Sequence, residues 1–180
     1  MTDSGRQAIL LAARRAFARH PYAAVTLRGI AADAGVSASL IVKHFGGKES
    51  LFDEVADFTG AAAALLDAPN EELGRCAVRA LVQYRQENNA DLLLRVVFAV
   101  GSGDERAMLR ERFRTQVVRQ VAARLTGEDV PLRAELFVAQ LIGLGAALAI
   151  DREGPAATAD AERIADLYAP ALQSLVSPSG

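Results

Sequence analysis

Apolar residues recur every three or four positions along most of this chain, which is the spacing of amphipathic helices. In the first such stretch, Ile9, Ala13 and Phe17 share one face. His20-Pro21 ends that helix, because proline cannot continue it and the residue before a proline avoids the α region. The same spacing predicts further helices over 26–34, 38–44, 48–66, 71–88, 91–100, 102–125, 131–150 and 158–176.

The stretch from Thr26 to Lys48 predicts two short helices joined by a tight turn. Thr26 and Ser37 stand where N-caps are needed, because a hydroxyl oxygen accepts a hydrogen bond from a free backbone N–H group. Gly35 lies in the turn, where a positive φ costs glycine little. This is the helix-turn-helix arrangement, whose second helix can lie in the major groove of DNA. The alternative is an αα-hairpin inside some other helical bundle.

The order and spacing of the segments around this motif resemble the TetR family of bacterial transcriptional repressors over about residues 5–58. The segments are an amphipathic first helix ending in Ala16-Phe17, the connector from Tyr22 to Thr26, the IAADAGVS stretch and the SLIVKHF…KESLF run. The resemblance implies an all-α fold, with an N-terminal three-helix DNA-binding head that contains the helix-turn-helix and a C-terminal helical bundle for ligand binding and dimerisation. Residues 60–180 carry only a helical pattern, without a signature of comparable strength.

The resemblance also implies the domain boundaries. The DNA-binding head is expected over residues 1–48, a helix over 48–66 links it to the body, and the effector-binding and dimerisation domain follows over 67–180. Because the linking helix joins the two parts, a change in its tilt would alter the separation of the two recognition helices in a dimer.

In the docking that the resemblance implies, the third helix enters the major groove with its first residues near base edges. Side chains at helix N-termini are expected at phosphates, because free N–H groups there attract anions. The expected DNA-binding residues are Ser37, Ala38, Ser39, Lys43 and His44 on the third helix, and Thr26, Arg28 and Lys48 at helix starts. For His44, a packed or helix-ending role remains an alternative.

Position 42 departs from the family pattern. Val42 stands where family members commonly have a tyrosine, whose hydroxyl would reach a phosphate. That contact is lost here, so phosphate binding is expected to depend more on Lys43.

Charge is distributed unevenly along the chain. Residues 1–48 hold seven Lys and Arg residues against two acids, a net charge of +5, whereas the remainder carries −7. A basic head on an acidic body suits DNA binding, because phosphate contacts supply most of the non-specific affinity. The alternative is a chance fluctuation, because few residues are charged. The charge asymmetry therefore supports the prediction of DNA binding but does not carry it.

Composition excludes several classes of protein. About half of the 180 residues are apolar, which supports a packed core and argues against disorder. Cys76 is the single cysteine, so internal disulfides are excluded, and a small buried hydrophobe is favoured over a redox sensor at that position. With two histidines in different contexts and no catalytic motif, we expect no metal, no cofactor and no enzyme.

The sequence predicts a soluble cytoplasmic protein with no membrane partner. Residues 1–19 are charged and amphipathic and do not resemble a signal peptide. The longest apolar run, Leu136 to Ile150, is short for a bilayer and is interrupted by Gln140.

The body is expected to hold an effector pocket and a dimer interface. Polar or aromatic groups near the apolar faces of 71–150 are the candidate pocket liners: Tyr84, Asn88, Arg95, Phe98, Phe113, Gln116 and Gln140. In TetR-like proteins the last two long helices pair with their twins in a four-helix interface. The resemblance therefore assigns the dimer interface to Phe137, Leu141, Leu144, Leu148, Ile164, Leu167, Tyr168 and Leu172. The alternative is burial of these side chains inside one subunit.

The sequence thus predicts a homodimeric repressor that binds a pseudo-palindromic operator in double-stranded DNA and is released by a small-molecule effector. One alternative is a helical interaction protein regulated by a protein partner, with a weakened DNA-binding head. An enzyme that uses the cavity of the body is a further alternative.

Overall fold

A computed structural model of the chain describes residues 3–87, 109–150 and 153–177, which form helices joined by turns. The predicted helix over 91–100 and the predicted helix start at 102 lie outside the described residues. The all-α fold class is confirmed for the described chain. Its elements are α1 (Asp3–Arg19), α2 (Leu27–Ala34), α3 (Ala38–Phe45), α4 (Lys48–Val55), α5 (Thr59–Leu65), α6 (Leu73–Glu87), α7 (described over 109–122), α8 (Val130–Ile150), α9 (Pro155–Thr158) and α10 (Ala161–Val176), with 3₁₀ turns at Tyr22–Ala24 and Asn70–Glu72.

Three aromatic rings form the centre of the N-terminal head. The ring of Phe17, on α1, meets the ring of Phe52, on α4, edge to face with centroids 4.9 Å apart. Tyr22, from the connecting 3₁₀ turn, stacks on Phe17 at 5.8 Å and meets Phe52 at 5.1 Å. Such pairs add to the free energy gained by burying the rings. They fix α1 against α4.

The predicted linking helix over 48–66 is wrong in one respect, because it consists of two helices. α4 ends at Val55, and α5 begins at Thr59. Between them, the Asp57 carboxylate accepts hydrogen bonds from the backbone N–H of Thr59 at 3.0 Å and from its hydroxyl at 2.7 Å. Local side-chain hydrogen bonds of this kind compete with the helical ladder and favour a new helix start. We refer to residues 56–58 as the joint.

The last two helices also differ from the prediction. The predicted helix over 158–176 begins later, as α10, after Asp160, whose carboxylate accepts a hydrogen bond from the Arg163 N–H at 2.7 Å. The separate short helix α9 ends at Thr158. The α-helix expected up to residue 125 ends at Ala122 and contains a π-helical turn over Arg114–Val118. π-Helical turns are rare and occur mostly as single turns, often at functional sites.

The body is assembled on a close crossing of α6 and α10. At Gly74, a β-carbon would lie 2.8 Å from the carbonyl oxygen of Ala169 and 2.9 Å from the backbone nitrogen of Gln173. The Gln173 side chain accepts from the Gly74 N–H at 2.9 Å and donates to the Asn70 carbonyl at 2.7 Å. Only glycine leaves room for this approach, so the sequence at position 74 fixes how the two helices cross.

α8 is the helix among the described residues that is long and apolar enough to cross a membrane by length and composition alone. It has 21 residues and a mean hydropathy of 1.5 over its most apolar window, because it extends beyond the apolar run Leu136–Ile150 to Val130. Its buried residues, including Phe137 and Leu141, pack in the core of the body. A core helix of a globular domain accounts for this apolar composition.

The predicted dimer interface is corrected for most of its residues. Six of the eight side chains are buried by the packing of their own subunit, so they are not available to a partner: Phe137, Leu141, Leu144, Leu148, Ile164 and Leu172. Tyr168 is half-buried and donates its hydroxyl to the Gln140 carbonyl at 3.0 Å. Leu167 is 70% exposed. The apolar residues do recur with the helical period on α8 and α10, but they form the side of each helix that faces the core of its own subunit.

Candidate nucleic-acid interface and body cavity

Two hydroxyl caps and one left-handed glycine shape the turn between α2 and α3. Thr26 Oγ1 accepts a hydrogen bond from the Gly29 N–H at 3.1 Å, and Ser37 Oγ accepts from the Leu40 N–H at 3.2 Å. Gly35 ends α2 with φ of 67° and ψ of 30°. Each feature was predicted from the residue type, and each is confirmed. Together they fix the angle at which α3 leaves α2.

α3 presents a mixed surface to solvent. Ile41 and Phe45 are buried in the core of the head, whereas Ser39, Val42 and Lys43 are exposed on the other side of the helix. Of the residues predicted to enter the groove, Ser37, Ser39 and Lys43 are exposed.

The other residues predicted on α3 have additional contacts within the protein. The Ser37 and Ser39 hydroxyl oxygens lie 2.9 Å apart and share a hydrogen bond. Ala38 is half-buried against the core of the head. His44 is half-buried, with its ring 6.2 Å from that of Phe45, which fits the packed alternative as well as a DNA contact.

The residues predicted at phosphates occupy the starts of α2 and α4. Thr26 caps α2, and the exposed Arg28 lies in its first turn. Lys48 is the first residue of α4, and its Nζ lies 4.1 Å from the centroid of the Tyr22 ring. A cation–π contact of this kind contributes about 0.5–1 kcal/mol at an exposed site and holds the ammonium in one position.

Only part of the positive charge of the head is free. The Arg6 guanidinium pairs with Glu54, and Arg15 Nη2 donates to Asp33 Oδ2 at 2.9 Å, so these two residues bind the helices of the head together. Arg28 and Lys43 have no side-chain partner within the described part of the chain. These two cations lie on the helices of the helix-turn-helix itself, Arg28 on α2 and Lys43 on α3.

A cavity of about 50 Å³ lies in the body between α5, α6, α7 and α8. Tyr84 and Phe113, both predicted liners, contribute to its wall. The rest of the described wall is formed by small and aliphatic residues: Ala61, Ala64, Leu65, Ala80, Leu81, Val117, Val138, Leu141, Ile142 and Gly145. Their spacing of three to four residues on each helix was the available signal. Polar groups near apolar faces, the basis of the prediction, do not identify a wall of this composition.

The remaining predicted liners are elsewhere or are not described. Gln140 contributes its carbonyl to the Tyr168 hydroxyl and does not line the cavity. Gln116 is also absent from the described wall, because its side chain is bound to the joint. Asn88, Arg95 and Phe98 lie outside the described residues.

α7 connects the cavity to the joint. Gln116 Oε1 accepts a hydrogen bond from the Phe58 N–H at 2.8 Å, and the Phe113 ring meets the Phe58 ring edge to face at 5.5 Å. One residue before Phe113, the Arg112 guanidinium donates to the Asp53 carbonyl at 3.2 Å and to its carboxylate at 2.5 Å. Phe113 therefore touches both the cavity and the segment that joins head to body.

Cys76 lies beside a second, more open groove of about 460 Å³ between α5 and α6. Its thiol is half-buried and lies 3.6 Å from the Ala64 carbonyl. Burial, with a smaller effect from the nearby Asp67 carboxylate, raises the pKa of the thiol. Because the thiolate is the reactive form, this environment suits a structural cysteine better than a redox sensor.

Comparisons with known proteins identify both parts of the chain. Residues 71–176 match the family model described as the tetracyclin repressor-like C-terminal domain, and residues 9–55 match the model of bacterial regulatory proteins of the tetR family. The HTH-type transcriptional repressor AcnR of Corynebacterium glutamicum is 32% identical over 136 residues, which is 72% of each chain.

Solved structures of similar fold cover almost the whole length. A TetR-family regulator from Streptomyces coelicolor A3 is 28% identical with a TM-score of 0.58, and the match covers 97% of this chain and 96% of that one. The fatty acid degradation regulator FadR from Bacillus halodurans is 16% identical with a TM-score of 0.69, covering 97% and 100%. The second likeness concerns the fold alone.

Proposed function

Because this chain belongs to the TetR family of bacterial regulators, whose members are DNA-binding transcriptional regulators and generally not enzymes, we propose that it is a repressor released from its operator by a small molecule. The observation that supports DNA binding is the exposed side of α3, which carries Lys43, together with the exposed Arg28 on α2; within the described residues neither cation has a side-chain partner.

The proposed DNA contacts divide into two kinds. Ser37, Ala38 and Ser39 lie at the start of α3 and are assigned to base edges, with Lys43 and His44 further along the groove. Thr26, Arg28 and Lys48 are assigned to phosphates, where positive charge and free N–H groups position the protein without reading sequence.

The proposed regulator is a homodimer formed through the exposed apolar side of α8 and α10. Leu132, Leu136, Ile150 and Leu167 are 54%, 45%, 82% and 70% exposed, and they replace the buried residues of the sequence-based prediction. Exposed leucine and isoleucine side chains on the outer faces of neighbouring helices suit burial against a second copy. A two-fold axis through this face would present two α3 helices to a pseudo-palindromic operator.

Release from DNA is proposed to begin in the cavity of the body. A ligand that filled it would press on Phe113, which touches the joint at Phe58. If the ligand favours the conformation that does not bind DNA, operator affinity must fall by the same coupling free energy, typically about 1–3 kcal/mol. The joint between α4 and α5 is the element proposed to move.

The proposed division of the chain follows from these roles. Residues 1–48 form the DNA-binding head, residues 48–66 with their joint link it to the body, and residues 67–180 carry the cavity and the dimer face. A regulator of transcription that works in this way acts in the cytoplasm, where bacterial DNA is found.

The proposal is tested by selection from a pool of random duplexes, followed by titration of the enriched duplex over a range of salt concentrations. A repressor of this kind enriches a pseudo-palindrome and shows a steep loss of affinity with salt. A protein regulated by a protein partner, or an enzyme, enriches no sequence at any salt concentration, and that result would contradict the proposal.

A further inference from the structure

The exposed side of α3 carries one large apolar residue. Val42 is 48% exposed, and it is the only large apolar side chain of residues 3–58 with such exposure. It is not among the described apolar side chains that pack against the core, whereas its neighbour Ile41 is fully buried. The core of the head therefore does not explain why a valine stands at this position.

Helical geometry places Val42 on the exposed side of α3, beside Ser39 and toward the half-buried Ala38. At about 100° per residue, Val42 falls between the directions of Ala38 and Ser39, one turn further along the helix. Lys43 follows on the same side and is exposed. A duplex that receives Ser39 and Lys43 in its major groove must therefore also meet the two methyl groups of Val42.

A valine cannot bind a phosphate or form a hydrogen bond with a base edge. Of the four bases, only thymine presents a methyl group in the major groove, and apolar side chains contact that group. Opposite a different base, Val42 would displace water from polar atoms without replacing their hydrogen bonds. The valine is thus selective for a chemical feature that distinguishes one base.

The neighbouring hydroxyls are less selective. Ser39 shares a hydrogen bond with Ser37, and Ser37 also accepts from the Leu40 N–H. A serine hydroxyl can donate or accept, so it pairs with several base edges. Discrimination at the centre of α3 therefore depends on Val42 more than on the serines.

We propose that Val42 reads the C5-methyl group of a thymine in each half-site of the operator. This inference rests on the proposed function, because it requires α3 to lie in the major groove. It makes position 42, which lacks the phosphate-binding tyrosine common in the family, a determinant of sequence specificity.

The test uses uracil, which differs from thymine only by the absence of that methyl group. Each thymine of the selected half-site is replaced in turn by uracil, and affinity is measured for the wild-type protein and for Val42→Ala. At one position, uracil should weaken wild-type binding about fourfold, which corresponds to uncovering one methyl-sized apolar group. At that position Val42→Ala should bind thymine and uracil duplexes equally well.

Lys43→Ala provides the matched control on the same side of α3. It should weaken binding to all duplexes but keep the ratio of thymine to uracil affinity found for the wild type. Val42→Ala should fold normally, because the position is exposed and alanine is the better helix former.

The outcomes separate the inference from the proposed function. An enriched palindrome whose thymines can all be replaced by uracil without loss overturns the inference alone, as does a uracil penalty that persists in Val42→Ala. A selection that enriches no duplex overturns the proposed function and the inference with it.

Discussion

The head and the body of this protein position their functional residues by different means. In the head, caps at Thr26 and Ser37 and the left-handed Gly35 fix the turn between α2 and α3 through contacts within a few residues. In the body, the cavity is enclosed by side chains from helices that are distant in sequence, such as Leu65 and Ile142. A local signal specifies the first arrangement, whereas only the packed tertiary structure specifies the second.

The difference also concerns the chemistry of the residues. The exposed side of α3 is mostly polar and charged, as expected of a surface for DNA. The described wall of the cavity is mostly apolar, and it includes neither of the two glutamines predicted to line it. The Gln116 side chain accepts a hydrogen bond from the Phe58 N–H instead, and the backbone carbonyl of Gln140 accepts one from the Tyr168 hydroxyl. Polarity therefore points to a candidate site on an exposed helix, but it is a poor guide in a core, where a polar side chain such as that of Gln116 connects separate elements.

The largest loss of operator affinity is expected from a change on the proposed dimer face of α8 and α10. Leu167→Glu places a carboxylate on the proposed dimer face, and burying it against the partner would be costly. We expect the variant to sediment as a single 19.1 kDa chain and to lose operator affinity by roughly 100-fold or more, because the two half-sites are no longer bound together. Ala63→Glu adds the same charge at an exposed position of α5 and should remain dimeric. If Leu167→Glu also remains dimeric, the interface lies elsewhere.

The next largest effect is a loss of stability at the crossing of α6 and α10. Gly74→Ala would force a β-carbon against the backbone of α10 and should lower the free energy of unfolding by about 1–3 kcal/mol, the usual cost of overpacking. Gly60→Ala is the matched control, because nothing lies within 4 Å of the added carbon and alanine is the better helix former. Urea denaturation of both variants measures the difference. Equal stabilities for the two variants would contradict the account of this crossing.

A smaller loss of stability is expected at the joint. Gln116→Ala removes the acceptor of the Phe58 N–H and should lower the free energy of unfolding by about 1 kcal/mol. The exposed Gln120 lies one turn further along α7, and Gln120→Ala should change stability little. Hydrogen exchange at residues 56–60 should quicken only in Gln116→Ala. Unchanged exchange would mean that the body does not hold the joint through this contact.

The smallest effect is expected at a single phosphate or base contact in the head. Lys43→Ala should weaken binding to all duplexes and flatten the dependence of log affinity on log salt by about one unit. Arg119→Ala makes the same change of charge at an exposed position of the body and should leave the slope unaltered. If both variants change the slope equally, the salt dependence reflects the overall charge of the molecule and not a contact of α3.

The contrast between local and long-range contacts explains which features of the structure could be predicted from the sequence. The caps at Thr26 and Ser37 and the buried stripe of α1 follow from residue type and period, and they are confirmed. The break at residues 56–58 was missed, because it depends on the Asp57 side chain competing with the helix and on the hydrogen bond that the Phe58 N–H donates to Gln116.

The dimer face shows a second limit of sequence reading. Period alone identifies an apolar stripe on α8 or α10, but it does not say whether the stripe faces its own subunit or a partner. Phe137 and Leu172 proved to be fully buried inside the subunit, while Leu136 and Leu167 on the outer side are exposed. The distinction depends on which helices cover α8 and α10, and long-range packing decides that.

The most direct test of the central claim is the number of chains bound to one selected duplex, measured by native mass spectrometry or sedimentation at micromolar concentration. The account predicts two chains on one pseudo-palindrome, with one α3 helix in the major groove of each half-site. One chain per duplex, or no stable complex with any enriched sequence, would contradict it.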